Sequence, residues 1–473
     1  MSELTTLTIH QLAPLLERRE VSPVELMQET LAGIEALDGR LRTFITVWPE
    51  QALADARAAE AAIARGDYRG PLHGVPLSIK DNIAVAGWPT TNGSALMADF
   101  VTDYDATVVR RLRQAGALVV GKNNLHEWAM GVTCAGGPFG SVCNPWDERR
   151  VPGGSSGGSA AAVSASLVYG AVGTDGKGSI RIPAAWCGIV GLKPTYGLVS
   201  RFGQLPPSSS SFDHLGPLAK DVTDAALLLQ VLAGHDPQDP TSIPSASRDY
   251  PSALVRGVQG LRVGLPEDFF FEQADPEVAA LVRQAVGVLS ALGAEVREVA
   301  IPSLRHMPLL DAVLSSEIPA FLWPFVRQGP AAFADRTIWE RIVVGQLVRT
   351  PDTLRAARLR NLIRREFLAT METVDLLAMP TTPTTAVPRD TPEQQAAMPL
   401  LGHQSPVTVL TVPHDIVGMP AITIPCGFTA KGLPVGLMLG GRHWEDEVVL
   451  RAAYAYEQAA TGGYQIPPAR RHG

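Results

Sequence analysis

The stretch Val151-Pro-Gly-Gly-Ser-Ser-Gly-Gly-Ser159, followed by Gly173-Thr-Asp-Gly-Lys-Gly-Ser-Ile-Arg181, decides how this chain is read. Glycine lets a backbone adopt angles and approach distances that a Cβ forbids, so serines set among glycines can present hydroxyls and N–H groups to a ligand. By composition alone a Gly/Ser run is a flexible linker. The flanks argue against that: Ser159 to Ala171 is small and apolar and reads as a buried helix, and Ile189 to Leu192 reads as a strand.

Three other glycine-loop readings fail on their own terms. A phosphate loop ends Gly-Lys-Ser/Thr, which Gly176-Lys-Gly-Ser179 does not supply. A dinucleotide fingerprint lacks its preceding strand. Gly153-Gly-Ser155-Ser-Gly157 matches the G-x-S-x-G nucleophile elbow, but that elbow follows a buried strand, and Asn144 to Pro152 is polar and interrupted by two prolines. Upstream, Leu72-His-Gly-Val-Pro-Leu-Ser-Ile-Lys-Asp-Asn82 alternates Val75, Leu77 and Ile79 with Pro76, Ser78 and Lys80, which puts Lys80 on one face of a strand. Taken alone, such a lysine belongs on an edge strand facing water.

These segments together resemble the amidase signature family of serine hydrolases, and the resemblance runs along nearly the whole chain. It is carried by Gly74-Val-Pro-Leu-Ser-Ile-Lys-Asp-Asn82, Asp105-Ala-Thr-Val-Val109, Ala115-Gly-Ala-Leu-Val-Val-Gly-Lys122, the Gly153 to Ala162 run and Gly188-Ile-Val-Gly-Leu-Lys-Pro-Thr195. Pro380-Thr-Thr-Pro383, Gly418-Met-Pro-Ala-Ile-Thr-Ile-Pro425 and Gly432-Leu-Pro-Val-Gly-Leu437 resemble its C-terminal landmarks. The resemblance implies an α/β fold with a mixed, twisted β-sheet core covered on both sides by α-helices. It implies one domain over 1–473: helices over 1–65, the signature core with the catalytic residues over 66–215, and the remainder with the substrate pocket over 216–473.

The resemblance further implies a triad of Lys80 as general base and acid, Ser155 as a proton relay preceded by a cis peptide, and Ser179 as nucleophile. The separations, 155 − 80 = 75 and 179 − 155 = 24, agree with the family's spacing. An amide needs an activated hydroxyl, a stabilised oxyanion and a proton for the departing nitrogen. Lysine acts as a base only when neutral, so Lys80 requires a dry or cation-rich pocket. The oxyanion hole is assigned to the backbone N–H groups of Gly176, Lys177, Gly178 and Ser179, with Ser156, Asp175 and Arg181 in support. No histidine, metal or cofactor is required.

The chain departs from the family in three places. The usual Asp-Thr-Gly-Gly-Ser loop reads Asp175-Gly-Lys-Gly-Ser179, and Lys177 either points away or enters the site as a second cation. Cys134-Ala-Gly136 replaces a hydroxyl, a carboxylate and an amide that relatives acting as the glutaminase subunit of tRNA-dependent amidotransferases carry. Thr408 stands where that subunit places an acid. Arg360 matches its carboxylate-binding arginine, though an arginine on an amphipathic helix is more often solvated or salt-bridged. Trp128, Met130, Cys134, Trp323 and Arg360 are the substrate-pocket candidates. The first reading is therefore a stand-alone hydrolase of amides, extending to carbamates or anilides. The glutaminase component of a tRNA-dependent amidotransferase and a catalytically silent binding module with a spoiled oxyanion loop are the alternatives.

Composition fits one large enzyme domain: 473 residues, 46% hydrophobic and 18% charged. A net charge of −7 without a basic tract gives no support for nucleic-acid binding. No repeat and no apolar run of membrane-spanning length is visible, and an N-terminus without an export signal predicts a cytoplasmic protein. Cys134, Cys143, Cys187 and Cys426 show no paired C-x-x-C spacing and read as reduced thiols. His73, His126 and His214 stand apart, and no H-E-x-x-H pair predicts a metal. The expected partner is a small amide or carbamate; oligomeric state stays open, a homodimer being common in the family. Local signals add capping boxes at Thr8/Gln11 and Ser22/Glu25, with Pro23 opening the second helix. They also place a helix capped by Asp105 and ended at Gly116, a strand over Ala117 to Val120, and a short loop over Ser208 to Ser211.

Overall fold

The computed structural model describes residues 3–205, 211–246, 248–391, 394–395, 405–460 and 464–471, so Ser208 to Ser210 of the expected loop lie outside the described residues. The frame is a mixed sheet of eleven strands in the order β1-β3-β2-β4-β6-β5-β10-β11-β9-β7-β8. The strands are β1 (Phe44–Val47), β2 (Pro76–Lys80), β3 (Leu118–Asn123), β4 (Gly170–Asp175), β5 (Val190–Lys193), β6 (His214–Ala219), β7 (Arg262–Leu265), β8 (Glu295–Glu298), β9 (Leu376–Pro380), β10 (Ala421–Phe428) and β11 (Pro434–Gly441). Helices flank them: α1 (Ile9–Glu17), α2 (Pro23–Leu41), α3 (Pro49–Ala64), α4 (Thr107–Gln114), α5 (Gly157–Ser164), α6 (Arg181–Cys187), α7 (Val222–Leu232), α8 (Tyr250–Ala253), α9 (Pro276–Ala291), α10 (Asp311–Val326), α11 (Arg336–Gln346) and α12 (Thr350–Thr373). Shorter helical turns and later helices complete the chain. The α/β class with a mixed sheet is what the sequence predicts.

The sheet divides by sequence. Its first six positions are strands from residues 44–219 and its last five are strands from 262–441, joined where β5 meets β10 through Ala421↔Lys193, Ile422↔Leu192 and Thr423↔Gly191. β2 runs parallel to both β3 and β4, with Leu77 beside Gly170 and Ile79 beside Val172. Their C-terminal ends therefore emerge side by side, which brings the Lys80 side chain within reach of Thr174. Every residue of β2, β3 and β4 is buried, as expected of strands covered on both faces. Lys80 therefore stands on an interior strand rather than at a water-facing edge, which is the dry setting a neutral lysine requires.

Four local expectations are corrected. The apolar run from Ser159 is not one helix: α5 ends at Ser164, Ser166 takes φ 52°, and Gly170 onward is β4. Pairing wins over helix propensity here, since Tyr169 donates to the Pro76 carbonyl at 3.2 Å and β4 is held by both β2 and β6. Asp105 does not cap α4, whose N-cap is Ala106; its carboxylate instead accepts the Ala86 N–H and pairs with Arg113. Ser22 Oγ accepts the Val24 N–H at 3.0 Å and the Glu25 N–H at 3.4 Å, but among the described residues the Glu25 carboxylate does not take the Ser22 N–H, so only half of that box forms. The segment 1–65 also contains β1, and the boundary drawn at 215 falls inside β6.

α5 packs against β4 with all eight of its residues buried, which only small side chains allow. Gly158 makes the requirement strict, since a Cβ there would lie 2.2 Å from the Asn124 carbonyl oxygen. Among the described residues no helix is long and apolar enough to cross a membrane.

Candidate active site

Lys80, at the end of β2, is wholly buried and its Nζ donates to Ser155 Oγ and to Thr174 Oγ1, both at 2.7 Å. Burial pulls its pKa from 10.5 down to about 7, with Cys134, Asp213 and Asp175 opposing part of that shift. Ser155 is fully buried, follows a cis Gly154-Ser155 peptide and accepts from Lys80. Among the described residues its own hydroxyl proton has no acceptor.

The two serine loops are joined directly, because the Ser156 N–H donates to the Ser179 carbonyl at 3.1 Å. Ser156 Oγ also donates to the Thr174 carbonyl at 3.1 Å, tying the first loop to β4. Ser179 is partly exposed, in the turn between β4 and α6, and its hydroxyl makes no hydrogen bond among the described residues. The structure thus brings Lys80, Ser155 and Ser179 to one place. The Lys80–Ser155 contact is formed, and no Ser155–Ser179 hydrogen bond is.

Asp175 organises the second loop. Its carboxylate accepts the N–H groups of Gly178 at 2.6 Å and Ile180 at 3.1 Å, and both ends of the Arg181 fork at 3.0 Å. Arg181 continues to Asp415 at 2.6 Å and to the Thr411 carbonyl at 2.9 Å. Burial would raise the Asp175 pKa, but the charge and hydrogen bonds of Arg181, aided by Lys193, bring it below the carboxylate range. Asp415 lies in the same dry network, and burial pushes it the other way.

This geometry corrects one oxyanion assignment. The Gly178 N–H is committed to Asp175, which takes that amide out of the four expected donors. Gly178 sits at φ +106° with Thr411 against it, so a side chain is excluded twice over. Thr411 Oγ1 donates to the Lys177 carbonyl at 2.7 Å and fixes the loop from the helix Val412–Val417 side.

The pocket candidates separate. Trp128 and Met130 are buried in an apolar cluster with Leu322, Phe333, Ile338 and Ile342, and the Phe325 ring packs at a tilt against Trp128, centroids 4.7 Å apart. Cys134 lies against the site, its thiol donating to the Ser155 carbonyl at 3.2 Å. Trp323 is 40% exposed and faces away from that cluster, because the neighbouring positions 322 and 325 take the inward face of α10. Arg360 spends its guanidinium on the Ile416 carbonyl at 2.9 Å and the Ser211 carbonyl at 3.0 Å, over the Phe212 ring. The four cysteines are free thiols.

Sequence reasoning missed Thr174, the second acceptor for Lys80, although its place beside Asp175 in a buried strand was legible. It also missed Asp213, whose carboxylate would meet a Cβ on Gly176 at 2.2 Å and which Gln204 holds at 3.0 Å. The layer beneath, in which Lys193 donates to the Met419 carbonyl at 2.6 Å and lies 3.3 Å from His214, was missed as well. No local signal links those positions, since residues 193, 214 and 419 meet only through the sheet.

A family model described as Amidase matches residues 25–450. The chain is 43% identical to the A-type component of glutamyl-tRNA(Gln) amidotransferase from Moorella thermoacetica over 97% of each chain. Among solved structures, it resembles a chain of the vestigial protein complex that reveals the evolutionary origins of an s-triazine catabolic enzyme. That match has TM-score 0.90 and 32% identity, over 97% of this chain and 100% of that one. It also resembles a bacterial aryl acylamidase, with TM-score 0.86 and 27% identity over 96% of each.

Proposed function

This chain belongs to the amidase signature family, and from that premise we propose that it hydrolyses a carbon–nitrogen bond of a small amide through Lys80, Ser155 and Ser179. One observation carries the mechanism: a fully buried lysine with its pKa brought to about 7, 2.7 Å from a serine hydroxyl on the loop bonded to the second serine. Neutral Lys80 takes the Ser155 proton, Ser155 takes that of Ser179, and Ser179 Oγ attacks the carbonyl carbon. The Gly176, Lys177 and Ser179 amides receive the oxyanion. As the C–N bond breaks, the proton returns through Ser155 to the departing nitrogen, leaving an acyl ester on Ser179. Water attacks that ester, yielding its proton to the same relay, and releases the carboxylic acid.

Two readings of the substrate divide on different observations. The stand-alone amidase reading, extending to carbamates, is supported by the commitment of Arg360 to two backbone carbonyls and by Cys134 and Thr408 at positions where a glutamine site needs polar contacts. The amidotransferase reading is supported by the sequence relatives, which favour it more strongly than the first. It would bring partner proteins and a tRNA-linked reaction, against the expectation of no nucleic-acid partner. The binding-module reading is disfavoured by the formed Lys80–Ser155 contact.

The deciding experiment measures ammonia or amine release from aryl amides, aliphatic amides, carbamates and glutamine. It is run with the protein alone, with the other amidotransferase components added, and with Ser179→Ala. Turnover of aryl amides or carbamates without partners supports the first reading. Glutamine turnover that appears only with partners supports the second. Turnover that survives in Ser179→Ala removes the mechanism.

A further inference from the structure

Away from the serine loops, the end of α2 and the loop 138–143 line an open, shallow basin of about 750 Å³ in which Arg40, Arg42 and Arg389 face one acid, Glu148. In a chain of net charge −7 this concentrates a local charge of +2, three guanidiniums against one carboxylate.

The three arginines differ in what they have left to offer. Arg40 directs its Nη2 to Glu148 at 3.2 Å and to the Ala469 carbonyl at 3.1 Å. Arg389 donates through Nη1 to Cys143 Sγ at 3.2 Å, while its Nε is buried without any partner among the described residues. Its Nε–Nη2 edge is therefore free, and that two-donor edge matches two oxygens of a phosphate or carboxylate. A buried N–H donor without an acceptor is destabilising, so an acceptor is the missing element. Arg42 forms no ion pair among the described residues and runs along Gly140. Ser141 Oγ accepts the Gly136 N–H, which leaves its own proton to give.

We propose that this basin binds a compact tetrahedral dianion, inorganic phosphate or a phosphate monoester, on Arg42, the Nε–Nη2 edge of Arg389 and the Ser141 hydroxyl. The charge of the ligand cancels the +2 of the basin, and its oxygens satisfy the orphaned Arg389 donor. The loop that would hold it reaches the serines, because the Val142 N–H donates to the Cys134 carbonyl at 2.9 Å and the Cys134 thiol meets the Ser155 carbonyl.

The test is calorimetric titration of the full-length protein with inorganic phosphate at fixed ionic strength, beside glycerol phosphate and succinate. Saturable one-to-one binding of phosphate is expected, weakened at least tenfold in Arg389→Lys, which keeps the charge and loses the fork. The same loss is expected in Arg42→Ala, an exposed position whose thermal midpoint should not move. Tighter binding of glycerol phosphate would make the ligand a monoester, and equal or weaker binding would make it free phosphate. Absence of saturable phosphate binding, equal affinity for succinate, or binding unchanged in Arg42→Ala would overturn the proposal.

Discussion

The serine core and the helices α10 to α12 are built on opposite principles. Around Lys80, Ser155 and Asp175 the side chains are buried, with Lys80 bonded to two hydroxyls, one of them Ser155, and Asp175 to backbone amides and the Arg181 fork. Across α10 to α12, Trp323, Val344, Leu347, Leu354 and Leu362 stand exposed; the inward face of α10 and α11 is a small apolar cluster on Trp128 and Met130, while α12 buries Ala356, Ile363, Phe367 and Met371 in the main core. The core fixes atoms in place by polar contacts that tolerate little change. α10 and α11 reach the core through that apolar surface and a few latches, such as the Asp335 N–H to Glu127 at 3.1 Å and Arg341 to the Met130 carbonyl at 2.9 Å. Under the function proposed above, reaction chemistry falls to the first region and substrate choice to the second.

The sharpest way to break that division is to remove the chemistry without disturbing the fold. Ser179→Ala and Lys80→Met are each expected to lower turnover by about 10⁴–10⁶-fold. Partly exposed Ser179 should leave unfolding stability within about 0.5 kcal/mol of the parent, as measured in urea. A Ser179→Ala protein that retains a tenth of its activity would end the assignment.

Next in size is the clamp under the second loop. Arg181→Met strands two buried carboxylates, Asp175 and Asp415, and is expected to cost about 3–5 kcal/mol of stability with loss of activity. A urea midpoint that does not move would show the network to be dispensable. A third probe is pH. Lys80 must be neutral to accept a proton, so kcat/KM should rise tenfold per pH unit below about 7 and level off above it. A profile still climbing steeply at pH 9 would mean that burial does not lower the Lys80 pKa as the core's dryness requires.

The smallest effect should come from the outer helices. Trp323→Ala, at an exposed position, is expected to change stability by no more than about 0.5 kcal/mol, and any kinetic change should appear as altered KM ratios across the amide panel. A fall in kcat on every substrate alike would erase the boundary between the two regions.

How much of this is legible in the sequence follows the same boundary. The glycine-framed serines and the alternating strand to Lys80 can be read because their geometry is local: spacing and small residues dictate the turn. The helix expected past Ser159 fails because composition cannot say that a neighbouring strand will capture Tyr169 and Gly170. Asp105 is no cap because its better partners, the Ala86 amide and Arg113, are brought by tertiary packing. The Gly178 amide drops out of the oxyanion set because Asp175 turns back to take it, and nothing in the sequence shows that turn. Asp213 and Lys193 give no signal at all.

The seam between β5 and β10 carries a consequence for biosynthesis. The last of the early strands, β6, ends at Ala219, yet the partner of β5 begins at Ala421, 421 − 193 = 228 residues after Lys193. While the ribosome makes those residues, the nascent half-sheet holds β5 as an apolar strand with one open side, the kind of edge that pairs with whatever strand arrives first. Closure must wait for β10, and so large a sequence separation makes that step slow. The nascent chain therefore has its longest exposure to self-association before β10 arrives, and this is the interval in which a chaperone would be most useful to it.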